Sequence, residues 1–168
     1  DIRNASACYR WLRWMAVPVA LCGLSANATQ YVVPGGAGDK SGGSWANARE
    51  DVQAAVNAAT LPGEEVWVAA GRYEVAAPVA LRSGSVVLGG FAGTESAASQ
   101  RNWDANVTVL DGLNATRVVS MESISSGRID GLVVTRGYVS VTNGMGGGGI
   151  LIQGSDGCEV ANCKILHN

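Results

Sequence analysis

The sequence predicts an all-β solenoid, a right-handed parallel β-helix headed by a short N-terminal capping α-helix. Three observations point there. The stretch Gly127-Arg128-Ile129-Asp130-Gly131-Leu132-Val133-Val134-Thr135-Arg136-Gly137 is answered 31 positions later by Cys158-Glu159-Val160-Ala161-Asn162-Cys163-Lys164-Ile165-Leu166-His167-Asn168. At that offset Ile129 meets Val160, Leu132 meets Cys163, Val134 meets Ile165, Gly131 meets Asn162 and Gly137 meets Asn168, so apolar falls on apolar and turn former on turn former. Earlier apolar runs close on Gly89-Gly90 and Gly112, and short strands ending in such corners at roughly 20–30-residue intervals mark a solenoid. Finally, 23 glycines among 168 residues, with few aromatics and few charges, suit tightly wound coils whose corners need positive φ.

Coils of this kind stack about 4.8 Å apart, the ordinary strand spacing. Ile129 with Val160, and Leu132 with Cys163, then form inward ladders in which each coil buries the face its neighbour leaves open. An antiparallel sandwich requires shorter, more even turn spacing and Asn-Gly hairpins, and only Asn143-Gly144 offers that signal. Asp111-Gly112 also aligns with Asp130-Gly131 at an offset of 19, which places the two acids at equivalent corners.

Taken in order, residues 1–28 read as an export signal. Arg10 and Arg13 supply the positive region, residues 14–24 an apolar run too short to span a bilayer, and Ala26-Asn27-Ala28 a small-x-small cleavage site before Thr29. The expected location is extracellular or on the outer cell surface, with no transmembrane segment. Cys22 follows Leu21, where lipoprotein signals usually carry a small residue, so lipidation is not expected. Residues 29–168 form the N-terminal part of the β-helix domain, and further coils are expected beyond Asn168. Tyr31-Val32-Val33 is a strand, and the Pro- and Gly-rich residues 34–43 are a loop. From Ser44, the expected N-cap, Trp45, Ala48, Val52, Ala55, Val56 and Ala59 recur at helical spacing until Leu61-Pro62-Gly63. A helix here covers the apolar end that a first coil exposes. Strands follow at residues 66–71, 72–75, 79–81 and 86–91, then a polar excursion over residues 92–106, then a strand at 107–112. Cys158 and Cys163, five apart on an extended chain, face opposite ways, which disfavours a local disulfide. Cys163, aligned with Leu132, reads as an interior thiol.

The order Tyr31-Val32-Val33, Gly43-Ser44-Trp45-Ala46-Asn47-Ala48, Val66-Trp67-Val68-Ala69-Ala70-Gly71-Arg72-Tyr73, Gly89-Gly90-Phe91-Ala92-Gly93-Thr94-Glu95, Arg101-Asn102 and Val109-Leu110-Asp111-Gly112 resembles the N-terminal half of bacterial exported right-handed parallel β-helix proteins. These are pectate-lyase-like surface proteins, often with a choice-of-anchor tail or polymorphic outer-membrane-protein repeats. The resemblance spans residues 31–168 and implies fold and export, not a particular activity.

Gly144-Met145-Gly146-Gly147-Gly148-Gly149 satisfies a dinucleotide fingerprint by letter, but Ile150-Leu151-Ile152 after it is strand rather than the helix a pyrophosphate needs, so no nucleotide is expected. Asp111 and Asp130, with Arg128 and Arg136 nearby, are the residues a polysaccharide lyase on this fold would draw on. Asp before Gly is also an ordinary corner, and a calcium site needs about six or more oxygens. His167, the single histidine, is nearly terminal, so a histidine triad or zinc site is not expected, nor any other cofactor or metal. Trp45 and Trp67 sit in apolar patterns and read as packing residues. Trp103 and Tyr138 fall in loops and are the candidate ligand-binding residues, aromatic faces on which sugar rings stack. A net charge of −2 offers no basic footprint, so nucleic acid is not an expected partner. The expected function is a non-catalytic surface module for glycan binding or adhesion; the alternative is a polysaccharide lyase or glycoside hydrolase acting on acidic polysaccharide.

Overall fold

Alternation along each strand decides which side chains enter the core. The computed structural model describes residues 29–140 and 146–168. Among them are β1 (Gln30–Val32), α1 (Val52–Ala58), β2 (Glu65–Ala69), β3 (Gly71–Glu74), β4 (Val79–Ala80), β5 (Val86–Phe91), β6 (Thr108–Asp111), β7 (Val119–Glu122), β8 (Arg128–Asp130), β9 (Leu132–Thr135), β10 (Ile150–Gln153), β11 (Glu159–Ala161) and β12 (Lys164–Leu166). The export-signal residues Arg10, Arg13 and Ala26-Asn27-Ala28, the cysteines Cys8 and Cys22, and the Asn143-Gly144-Met145 stretch lie outside the described residues.

The strands form three sheets in which every pairing is parallel. Sheet A runs β1-β2-β5-β8-β11, sheet B β3-β6-β9-β12, and sheet C β4-β7-β10. From β2 onward the chain visits A, B and C in fixed rotation, and no sheet closes on itself. The fold is therefore β-rich, made of parallel sheets with one α-helix among the described residues. Register stacks like on like. Val66, Val87, Ile129 and Val160 form a ladder in sheet A, Tyr73, Leu110, Val134 and Ile165 one in sheet B, and Val79, Val119 and Ile150 one in sheet C. All but the last rung of each ladder are buried in one shared core, and each fully buried Val or Leu contributes about 1.5–3 kcal/mol. The 31-residue offset is thus a register: Ile129 pairs with Val160 and Val134 with Ile165. At its corners Gly131 and Asn162 both take positive φ, 73° and 49°. Cys158 and Cys163 are free, both lie against the core, and burial pushes the Cys163 thiol up.

Two sheet edges are covered at the β1 end. Along β1, the Tyr31 N–H donates to the Gly42 carbonyl at 2.9 Å, and the Arg49 N–H donates to the Tyr31 carbonyl at 2.8 Å. At β4, the edge of sheet C, Gln53 of α1 accepts from the Ala80 N–H at 2.6 Å and donates to its carbonyl at 3.2 Å. Val52, Ala55 and Val56 turn α1 into the shared core beside Val32, Val66 and Val79.

The helix is shorter than its apolar spacing suggests. Trp45–Asn47 is a single 3-10 turn, Ser44 makes no side-chain cap, and Ala48 is extended. Arg49 bridges to Val32 at the edge of sheet A, and that pairing removes it from any helix. Asp51 is the N-cap, its carboxylate accepting the Ala54 N–H at 2.6 Å. A second difference concerns the two acids. Asp111 ends β6 in sheet B and pairs with Glu74 and Thr135, while Asp130 ends β8 in sheet A and pairs with Leu88 and Ala161. They are not equivalent corners. β7 has no counterpart among the expected strands.

Candidate functional site

Sheet A is covered on both faces at its β1 end. Its inward residues join the shared core, while outward Trp67, Leu88 and Phe91 form a second buried cluster with Tyr31 and Trp45 packed against it. Trp67 stacks on Phe91 with centroids 4.7 Å apart, and Tyr31 meets Trp45 edge-on at 4.7 Å. Trp45 and Trp67 are therefore packing residues, as their apolar surroundings suggest.

Residues 92–106 fold back over that face. Glu95 fixes the beginning of this excursion, its carboxylate accepting the N–H groups of Ala92, Gly93 and Thr94 at 2.6–3.0 Å, while its carbonyl accepts from Trp45 Nε1 at 2.9 Å. Burial pushes the Glu95 carboxyl up, but those backbone donors outweigh it and leave it below its ordinary value. The end of the excursion is pinned to Gly90. The Asn102 N–H donates to the Gly90 carbonyl at 2.7 Å and the Asn106 side chain reaches the same oxygen at 3.3 Å. Gly90 has φ +91°, and a Cβ there would lie 2.7 Å from the Trp103 nitrogen, so glycine alone lets the turn approach this closely.

Trp103 is held by that turn at the side of a groove of about 470 Å³. Val86 and Leu88, the outward residues of β5, contribute apolar surface; Glu65, Arg101 and Arg128 contribute charge. The Arg101 guanidinium lies 4.9 Å from the centroid of the Trp103 ring, a cation–π contact. Arg101 also donates to the Gly89 carbonyl at 3.2 Å and pairs with Asp130 at 2.8 Å. Asp130 has no exposed side-chain surface and is shared by Arg101, Arg128 and Asn162, the last at 2.9 Å. Burial raises its carboxyl, but the hydrogen bonds from Arg101, Asn162 and Arg128 more than offset this and hold it below its ordinary value. Arg128 also reaches Glu159 at 2.6 Å and keeps 37% of its side chain exposed. The groove thus joins a half-exposed indole, an apolar strip and two arginines in a fixed array.

Asp111 belongs to a separate cluster. Arg136 grips it through two 2.7 Å contacts, Arg72 pairs with it from the neighbouring strand, and it accepts the Leu113 N–H at 2.9 Å, as a corner aspartate does. Both acids are committed to arginines and stand on different sheets, so they do not form a carboxylate pair. Tyr138 lies elsewhere again, past the end of β9, with its amide donating to the Thr116 carbonyl at 2.9 Å. The residue is 53% exposed and lines no part of the Trp103 groove. Ile150, after the glycine run, opens strand β10.

Sequence reasoning singled out Trp103 but not Val86, Leu88, Glu65 or Arg101 as its neighbours. Alternation in β5 places Val86 and Leu88 on one face; nothing in the spacing of residues 92–106 says that they return to that face. No family model, curated protein or solved structure matches the chain.

Proposed function

We propose that the chain winds as a right-handed parallel β-helix and serves as an exported, non-catalytic surface module that binds a glycan in the Trp103 groove. The rotation of the chain through three parallel sheets and its like-on-like ladders support the winding. An experimental structure with left-handed crossovers would refute the hand. Export rests on Arg10, Arg13 and Ala26-Asn27-Ala28. N-terminal sequencing of secreted material is expected to begin at Thr29, and intact protein recovered from cytoplasm would contradict it.

The observation that carries the glycan reading is the fixed, half-exposed Trp103 ring beside Val86 and Leu88, with Arg101 and Arg128 at the same groove. A sugar's C–H face stacks on an indole, and its hydroxyls or carboxylate accept from guanidinium donors. Asp111 and Asp130 are engaged in ion pairs, which favours binding over acid–base chemistry. A glycan array run beside an ultraviolet assay for unsaturated product, with and without Ca²⁺, separates the two. Saturable binding without turnover is expected, weakened about tenfold or more by Trp103→Ala and unchanged by Tyr138→Ala. Calcium-dependent turnover lost on Arg128→Ala or Asp130→Ala would replace this reading with a polysaccharide lyase.

A further inference from the structure

Sheets A and C have their edges covered at the β1 end, whereas among the described residues no strand or helix pairs with the edge of sheet B, where the Pro34 ring packs against Gly71. The reason is local and begins at Pro34. Proline has no N–H to give a neighbouring strand, and Gly35 and Gly36 after it adopt φ of 75° and 74°. The Gly36 N–H closes a turn onto the Val33 carbonyl at 3.0 Å, and the Ala37 N–H then donates to Ala48 at 2.8 Å. The chain therefore turns back toward the β1 edge instead of running alongside β3. Among the described residues β3 is the last strand of sheet B, with β6 its sole strand partner.

The pairing with β6 uses alternate residues. The Gly71 and Val75 N–H groups donate to Val107 and Asp111 carbonyls at 3.0 and 2.9 Å. The intervening amides of Arg72 and Glu74 point away from β6, as alternation along a strand requires. On that side lies a cavity of about 630 Å³, bounded by β3, the β3–β4 connection, Pro34-Gly35 and the first turn of α1. Three carboxylates line it. Glu50 is half-exposed and shared with Lys40 at 2.6 Å, Asp51 caps α1, and Glu74 has no side-chain partner among the described residues. The cation that lines it, Arg72, is tied to Asp111.

We propose that this edge is a docking site for an extended basic peptide segment of a partner protein, which adds to sheet B as a strand beside β3. Main-chain bonds to the Arg72 and Glu74 backbone supply the attachment, and lysine or arginine side chains set against Glu74, Glu50 and Asp51 supply the selectivity. The site is distinct from the Trp103 groove and does not depend on glycan binding.

The test uses the full chain and a short peptide alternating lysine and valine, with two controls: a glutamate–valine counterpart and a lysine–valine peptide with proline at its centre. Binding is followed by calorimetry, and amide hydrogen exchange locates it. In the free protein the Arg72 and Glu74 amides are expected to exchange faster than those of Tyr73 and Val75, and to become protected when the lysine–valine peptide binds. Glu74→Lys, at an exposed position that leaves the core intact, is expected to weaken binding about tenfold, and raised salt is expected to weaken it further. Equal binding by the acidic or proline-bearing control overturns the proposal, as does binding that leaves the two amides unprotected or no binding at all. Protection of the same amides on concentrating the protein alone would identify a second copy as the occupant and overturn the basic-peptide assignment.

Discussion

Asp130 shows how one side chain can hold three segments together. Its buried carboxylate joins β8 to Arg101 in the excursion that carries Trp103 and to Asn162 at the next corner. Asp130→Asn removes the charge but keeps the shape, leaving Arg101 without its counter-ion and Arg128 with Glu159 alone. The expected loss is about 3 kcal/mol, by analogy with broken buried pairs, measured as a shift in urea midpoint. The pH dependence follows from the direction of its shift. A folded carboxyl held below its ordinary value of 3.8 stabilises fully at higher pH and loses that contribution as pH falls through 3.8 toward the lower folded value. Acid titration of the urea midpoint is expected to fall less steeply in Asp130→Asn than in the parent, and parallel curves would sink the assignment. Asp111 and Asp130 look alike in sequence because each precedes glycine. The corner role is legible for Asp111, whose contact with Leu113 is two residues away. The role of Asp130 is not, because its partners Arg101 and Asn162 come from distant loops whose return to β8 no local pattern encodes.

At the scale of elements, α1 is stabilised as much by what it covers as by its own sequence. Seven residues are too few for an independent helix, so burial of Val52, Ala55 and Val56 and the two Gln53 contacts to Ala80 hold it in place. Gln53→Ala exposes the Ala80 N–H and carbonyl at the edge of sheet C and is expected to cost about 1–2 kcal/mol. Asp51→Ala, which removes the N-cap, is expected to cost about 1 kcal/mol. Hydrogen exchange distinguishes them, since Gln53→Ala specifically accelerates the Ala80 amide; unchanged exchange there would remove Gln53 from this role. The helix was legible in its apolar spacing, but its start was not. Trp45 and Ala48 continue the helical period by residue type, yet Arg49 is taken by the β1 edge, and a long-range pairing overrides local propensity. β7 was hidden for a related reason. Val118 and Val119 are adjacent and both fully buried, so the alternation that marks a strand is broken at its first residue.

At the scale of the whole molecule, the ladders were legible where coils repeat without insertion and hidden where they do not. Ile129 and Val160 announce their pairing at a constant offset across the whole coil. Val87 and Ile129 do not, because residues 92–106 leave the coil between them, fold over sheet A and dilute the repeat. The same ladders make the two ends of the stack unlike. At the β1 end the edges of sheets A and C are covered, whereas among the described residues β10, β11 and β12 each have a strand neighbour on one side only. There Ile152, Val160, Ile165 and Leu166 are 37–49% exposed. Open parallel edges beside apolar side chains are templates for further pairing. A polypeptide of these 168 residues expressed on its own is therefore expected to self-associate with rising concentration, read as a concentration-dependent sedimentation coefficient. Lysine at these positions opposes edge pairing while removing little buried contact, so Ile152→Lys combined with Ile165→Lys is expected to shift the protein toward monomer with a stability change of about 0.5 kcal/mol or less per site. A parent chain that sediments as a monomer at every concentration, or a lysine variant that associates as strongly as the parent, would show that this end of the stack is not the contact surface.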